Sequence, residues 1–265
     1  MNRGLWLAAG VVGLWLLAAA FGPVFVDDPN AIVLEAILEP PSTAAIVGRD
    51  ELGRPVFERV VMGARTAAVV GAGVVAVAAV VGVALGALAG FAGGTLDRFV
   101  GFVVDVVLAF PGLLLAIALA AVLGPGLENV ILALAAVGWV GFARLTRAQV
   151  LVLREREHVS AARALGTTPV RIVLRHLLPL AAAPLIVEAS FAMATATLAE
   201  AGMAFLGLGV QPPDASWGVM IRDGARFMLV APHLVIAPGL ALFAVVLAIN
   251  LLGDALRDRL DVRLR

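Results

Sequence analysis

The chain has 265 residues, 62% of them hydrophobic and 14% charged, with basic and acidic side chains in balance and a mean hydropathy of +1.04. That apolar share exceeds the half or less typical of soluble domains and points to a polytopic membrane protein, while zero net charge argues against a nucleic-acid partner. Cysteine is absent, which excludes disulfides, thiol catalysis and thiolate metal sites.

In chain order, Met1 to Gly4 carries one charge, Arg3, and Leu5 to Val26 is then uninterruptedly apolar. About 20 such residues cross a bilayer, so 1–26 is predicted to be a first transmembrane helix. The competing expectation is a cleaved signal peptide with small residues at Ala18-Ala19-Ala20, but the run is long for an h-region. Residues 27–65 are polar, broken by Pro29, Pro40 and Pro41, and are predicted to lie outside the membrane. Within them Gly48 to Arg65 is expected as an amphipathic segment on the membrane surface, with a docking role as the alternative.

Thr66 to Ala92 is predicted as the second span. Its Gly82, Gly86, Gly90 and Gly94 fall at four-residue intervals. Lipid supplies little hydrophobic drive between helices, so a stripe of small residues that lets backbones approach closely is expected to be a packing seam. A short turn with Asp97 and Arg98 leads to a third predicted span, Phe99 to Leu123. Asp105 lies about two turns inside it, where a carboxylate is costly unless it faces protein or water. The Gly124-Pro125-Gly126 turn precedes a fourth span, Leu127 to Ala143, with Trp139 expected as an interfacial anchor.

The one long polar interruption follows, Arg144 to Pro179, with seven arginines (Arg144, Arg147, Arg154, Arg156, Arg163, Arg171, Arg175) against Glu155 and Glu157. His158 to Leu165 are good helix formers, and Gly166 supplies a stop. Thr168-Pro169 reads as a capped start for a second helix, Pro169 to Leu178, expected to end at Pro179. A helix, a bend and an amphipathic helix would make a compact knob.

Leu180 to Leu206 is the fifth predicted span, carrying Glu188 and Glu200. Twelve residues of helix put them roughly 18 Å apart, too far to form one carboxylate pair. A Gly- and Pro-rich passage with Trp217 as an expected interfacial anchor leads to the last span, Leu234 to Leu252, and a charged tail, 254–265. Six spans put both termini and the knob on one side. That side carries thirteen arginines against six on the other, which places it in the cytoplasm.

Several of these stretches resemble one family. Ser160-Ala161-Ala162, Gly166 and Leu178-Pro179 match the "EAA" cytoplasmic loop of ABC importer permeases in spacing. The phrase AARALG...RIVLRHLLP is similar to the dipeptide, oligopeptide and nickel branch (DppC/OppC/NikC-like), as are GRDELGRPVFERVVMGAR, FLGLGVQPPDASWG and the charged tail. The family glutamate is Ser160 here, with Glu157 a substitute, and Arg49, Pro55 and Glu58 replace a threonine, an aspartate and a serine.

The resemblance implies an all-α, six-span, type I ABC importer permease with a core at 66–253 and a coupling loop at 144–179. Such a chain shares a central path with a second homologous permease and sits on two ATP-binding subunits in a bacterial plasma membrane. A solute-binding protein outside delivers cargo, here expected to be a di- or oligopeptide, with nickel or a metal chelate as the alternative. ATP and magnesium would be bound by the partner ATPases, leaving this chain without cofactor, metal or catalytic residues. Ser160, Ala161, Ala162 and Gly166 are the expected ATPase contacts, with Arg163 and Arg171 on the rim and Leu178-Pro179 closing the motif. Asp105, Glu188 and Glu200 are the expected pathway or buried polar groups.

Other chemistry is missing from the sequence. There is no GxxxxGK[ST] phosphate loop and no HExxH, and His158, His176 and His233 are scattered. An intramembrane serine protease needs a serine and a histidine that meet within the bilayer, and only Ser190 lies well inside a span. An ion-coupled secondary transporter using the acids as relays is the reading from a different class, and no inverted repeat supports it.

Overall fold

A computed structural model describes residues 3–43 and 45–260. Among them ten α-helices form and no strand does, apart from a lone bridge between Arg49 and Pro55. The helices are α1 (Arg3–Phe25), α2 (Val56–Ala92), α3 (Gly94–Leu108), α4 (Gly112–Leu123), α5 (Leu127–Leu153), α6 (Glu157–Ala164), α7 (Pro169–Ile172), α8 (Leu178–Phe205), α9 (Trp217–Ala225) and α10 (His233–Leu260).

Five segments are long and apolar enough to cross a membrane, namely α1, α2, α5, the run Pro169–Phe205 and α10. The third predicted span is not one straight helix: α3 and α4 meet at 86° across residues 109–111. Pro111 explains the break, because it has no N–H to continue α3 and pushes the residue before it out of helical geometry. The pair still makes one traverse of the bundle. At its start Asp97 pairs with Arg147 near the end of α5, and at its finish Asn129 near the start of α5 donates Nδ2 to the carbonyls of Leu123 (3.0 Å) and Gly124 (3.1 Å). Six crossings result.

Two predicted boundaries move. Gly48 to Arg65 is not a surface segment: 48–55 forms turns and α2 starts at Val56, ten residues before the expected span. Pro55, at φ −71°, sets the entry. Arg59 is tolerated inside the first turns of α2 because its guanidinium is satisfied. It donates Nη1 to Asn30 Oδ1 at 2.8 Å and to the Pro213 carbonyl at 3.3 Å, and its Nε lies 3.7 Å from Asp50. At the other end of the bundle, α5 runs ten residues past Ala143, so Arg144 and Arg147 belong to the span helix rather than to the knob.

Packing follows the small residues. A Cβ on Gly82 would overlap the Trp139 carbonyl, one on Gly86 the Ala143 carbonyl, and one on Gly90 would sit 2.9 Å from the Arg147 carbonyl. The α2 and α5 backbones are therefore in contact along this face, where van der Waals packing rather than water exclusion holds helices together in lipid. Gly94 does not continue the stripe, because α2 stops at Ala92 and Gly94 opens α3.

Trp139 and Trp217 are core residues, not interfacial anchors. Both are buried, and their indole N–H groups donate to Ala136 O (3.1 Å) and Val60 O (2.9 Å). Trp217 packs with Trp15, Val56, Ala64, Leu234 and Ile249, joining α1, α2, α9 and α10 at the end of the molecule remote from the knob. Its passage is tied down there by Thr66 Oγ1 donating to Ala215 O at 2.7 Å.

Candidate functional site

The polar island folds as a knob beyond the ends of α2, α5 and α8. Helix α6 ends in a left-handed glycine, Gly166 at φ +77°. The Gly166 amide donates to Arg163 O (2.9 Å) and the Thr167 amide to Ala162 O (3.0 Å), the paired bonds of a Schellman stop. Thr168 at the start of α7 makes no side-chain cap, so Pro169 in the first turn carries that signal alone.

The second helix of the knob does not stop at Pro179, as the sequence suggests it should. Residues 173–177 widen into a π-turn, in which the Leu178 amide reaches back to Val173 O, and α8 then runs through Pro179 to Phe205. The wide turn answers the proline: with no N–H and a ring that would strike the carbonyl four residues back, Pro179 fits only where the α-helical register is interrupted. Knob and fifth span are thus one continuous rod.

The inner face of α6 is apolar. Val159 and Ala162 join Ala87 of α2, Val150 and Leu153 of α5, Ile172 of α7, and Leu177 and Ala181 in a single buried cluster. Ala162 is therefore turned inward, 6% exposed, and does not present the contact surface expected of it. The 3.6-residue period explains why: Ser160, Ala161, Arg163 and Ala164 face out when Val159 and Ala162 face in. Leu165, which sequence reasoning passed over, is 87% exposed at the apex beside Gly166. Its signal was legible as an apolar residue directly before a helix-stopping glycine on a polar loop.

Arginines brace the base. Arg154 donates Nη1 to the Gly90 carbonyl at 2.7 Å and pairs with Glu155 at 2.9 Å. Arg147 forks onto Asp97, with Nη2 to Oδ2 at 2.8 Å and Nε to Oδ1. Arg163 stands 5.3 Å over the Phe91 ring. His158 and His176, far apart in sequence, bring their rings to 6.4 Å, but no group of three metal-capable side chains forms among the described residues.

The three acids do not converge. Asp105 borders a cleft of about 410 Å³ between α3 and α5 that also holds Arg144 and the Asp97–Arg147 pair. Glu188 borders a separate, largely apolar cavity of about 320 Å³ among α2, α4, α5 and α8. Glu200 is 2% exposed, close to Ser216, with Oε1 lacking any hydrogen-bond partner. Only Asp105 and Glu188 line open space, and they do so in different hollows.

A family model described as "Binding-protein-dependent transport system inner membrane component" matches residues 82–265. The chain is 41% identical over 268 residues to the glutathione transport system permease protein GsiD of Pectobacterium atrosepticum, covering 100% of this chain and 89% of that protein. It is 43% identical over 239 residues to GsiD of Escherichia coli O1:K1, covering 90% and 79%. Among solved structures, the inward-facing MetNI methionine ABC transporter matches with a TM-score of 0.63 and 21% identity over 78% of this chain and 98% of that one, a likeness of fold. With ABC family membership, an ion-coupled secondary transporter is set aside. The chain belongs to the binding-protein-dependent transport system inner membrane components, as a multi-pass permease subunit of an ABC importer in the dipeptide and oligopeptide branch.

Proposed function

We propose that this chain forms half of the translocation path of a peptide importer and takes its power stroke through the coupling loop at 144–179, whose knob lies beyond the end of α5 at Leu153. The observation that carries this is mechanical: an exposed apex of Ser160, Ala161, Leu165 and Gly166 is backed by one buried cluster drawn from α2, α5, α6 and α8. An ATPase cleft closing on that apex would move the ends of three spans together, and the unbroken rod from Pro169 to Phe205 would carry the tilt through the membrane. Arg163 and Arg171 lie on the rim of the contact, and Leu178-Pro179 sits at the root, where the π-turn joins the knob to α8.

In this reading ATP and magnesium belong to two partner ATPases, a second homologous permease completes the path, and a solute-binding protein loads it from outside. The knob and both termini are cytoplasmic, in line with the arginine excess on that side. Glutathione, transported by the similar permeases, is the first substrate to try, followed by unmodified di- and tripeptides. The test is co-purification and uptake in proteoliposomes with Leu165→Asp, which places a charge at the apex. At an interface hot spot such a change costs about 2 kcal/mol or more, roughly a thirtyfold loss of ATPase affinity. Full ATPase recovery and full uptake by Leu165→Asp would overturn the assignment.

A further inference from the structure

An apolar groove of about 520 Å³ runs between the knob-side half of α2 and the π-turn, lined among others by Val83, Leu88, Phe91, Val170, Leu174 and Leu178, and by no polar side chain. It shares Val170 and Leu174 with an adjoining hollow of about 420 Å³ that Arg171 and Arg175 border. The groove is open to the surroundings: Val170 is 68% and Leu174 60% exposed. Arg163 stands over the Phe91 ring at its edge, and none of Arg163, Arg171 and Arg175 forms an ion pair among the described residues.

We propose that this groove seats an acyl chain of an anionic phospholipid from the knob-side leaflet, its headgroup phosphate held by Arg171 and Arg175. One wall is α2 and the other the knob end of the run Pro169–Phe205, both segments long and apolar enough to cross a membrane. An apolar groove beside two arginines at the end of such segments matches the acyl chain and phosphate of a lipid at the membrane boundary. Four of the guanidinium's attributes suit a phosphate at the interface: planarity, permanent charge, forked donors and weak hydration. An anionic leaflet attracts each nearby cationic side chain by about 1 kcal/mol, a factor of about five in occupancy. The inference requires only that the chain crosses a membrane and does not depend on the coupling role of the knob.

The assembled importer, purified with its ATPases from bilayers of phosphatidylglycerol and phosphatidylcholine in equal parts, is washed in detergent and its retained lipid weighed by native mass spectrometry. Wild type is expected to keep phosphatidylglycerol in preference to phosphatidylcholine. Arg175→Gln should retain about fivefold less, Arg175→Lys should restore part of it, and Leu174→Trp, filling the groove, should displace it, all with ATPase recovery unchanged. Equal retention of the two lipids, or wild-type retention by both Arg175→Gln and Leu174→Trp, overturns the proposal. Loss of a protein subunit instead of lipid in Leu174→Trp would show the groove to be a protein seat and overturn it equally. Arg171 is left intact throughout, so the result is independent of the ATPase rim.

Discussion

Gly86 faces the Ala143 carbonyl so closely that a side chain has no room. Gly86→Leu should therefore force α2 from α5 and cost about 1–3 kcal/mol or more, read as a lowered Tm in detergent; an unchanged Tm would show that the two helices yield freely. Arg59 is a second single-residue lock. It is 3% exposed and ties the loops at 30, 50 and 213 to α2, so Arg59→Gln leaves buried acceptors short of a charged donor. The expected loss is about 3 kcal/mol in the same melt, and a loss near zero would mean the cluster is not closed to water. Nearby, burial raises the Glu51 carboxyl above its ordinary 4.5, against the pull of a backbone hydrogen bond and of Arg54. The folded chain thus holds this proton more tightly than the unfolded chain, and stability falls as pH rises from 4.5 through the raised value, then levels. Glu51→Gln should flatten that part of the stability-against-pH curve, and identical slopes for the two proteins would contradict the assignment.

At the scale of elements, the proposed coupling role requires that α6 stay pinned to the span ends. Ile172, 1% exposed in the shared cluster, is the natural point to loosen it. Ile172→Ala removes about 2–5 kcal/mol of packing and, in the proposed role, should lower the amount of substrate moved per ATP hydrolysed by the partner subunits while hydrolysis persists; an unchanged ratio would mean that the stroke travels elsewhere. Much of this architecture was legible in the sequence. Long apolar runs gave the spans, and Gly166 and Pro169 gave the bend. Several misses lie at prolines: Pro179 reads as an end, Pro111 is passed over inside a predicted straight span, and Pro55 does not read as an entry. Pro55 proved a helix entry, Pro111 bent a span, and Pro179 was absorbed by a π-turn inside a continuous rod. The composition of a loop does not reveal such register shifts, because a neighbouring helix decides whether the freed backbone groups are satisfied. The inward turn of Ala162 and the separation of Glu188 from Glu200 were readable from helix geometry alone, whereas the hollows that Asp105 and Glu188 border, and the burial of Glu200, needed the tertiary packing.

For the whole molecule, one end gathers a charged, loop-bearing platform around Asp50, Arg54, Arg59 and Trp217, and the other a braced knob around Val159 and Ile172. Helices α2, α5 and α8 connect the two, so in the proposed role a push on the knob would reach the platform side through rods rather than loops. This polarity is the core of the account, and the absence of cysteine permits a clean test of it. Ala161→Cys, assembled with its partners, is exposed to a membrane-impermeant maleimide in inside-out and right-side-out vesicles, with and without the ATPase subunits. The account predicts labelling in inside-out vesicles alone and protection when the ATPase is bound. Labelling in right-side-out vesicles, or equal labelling with and without the ATPase, would contradict it.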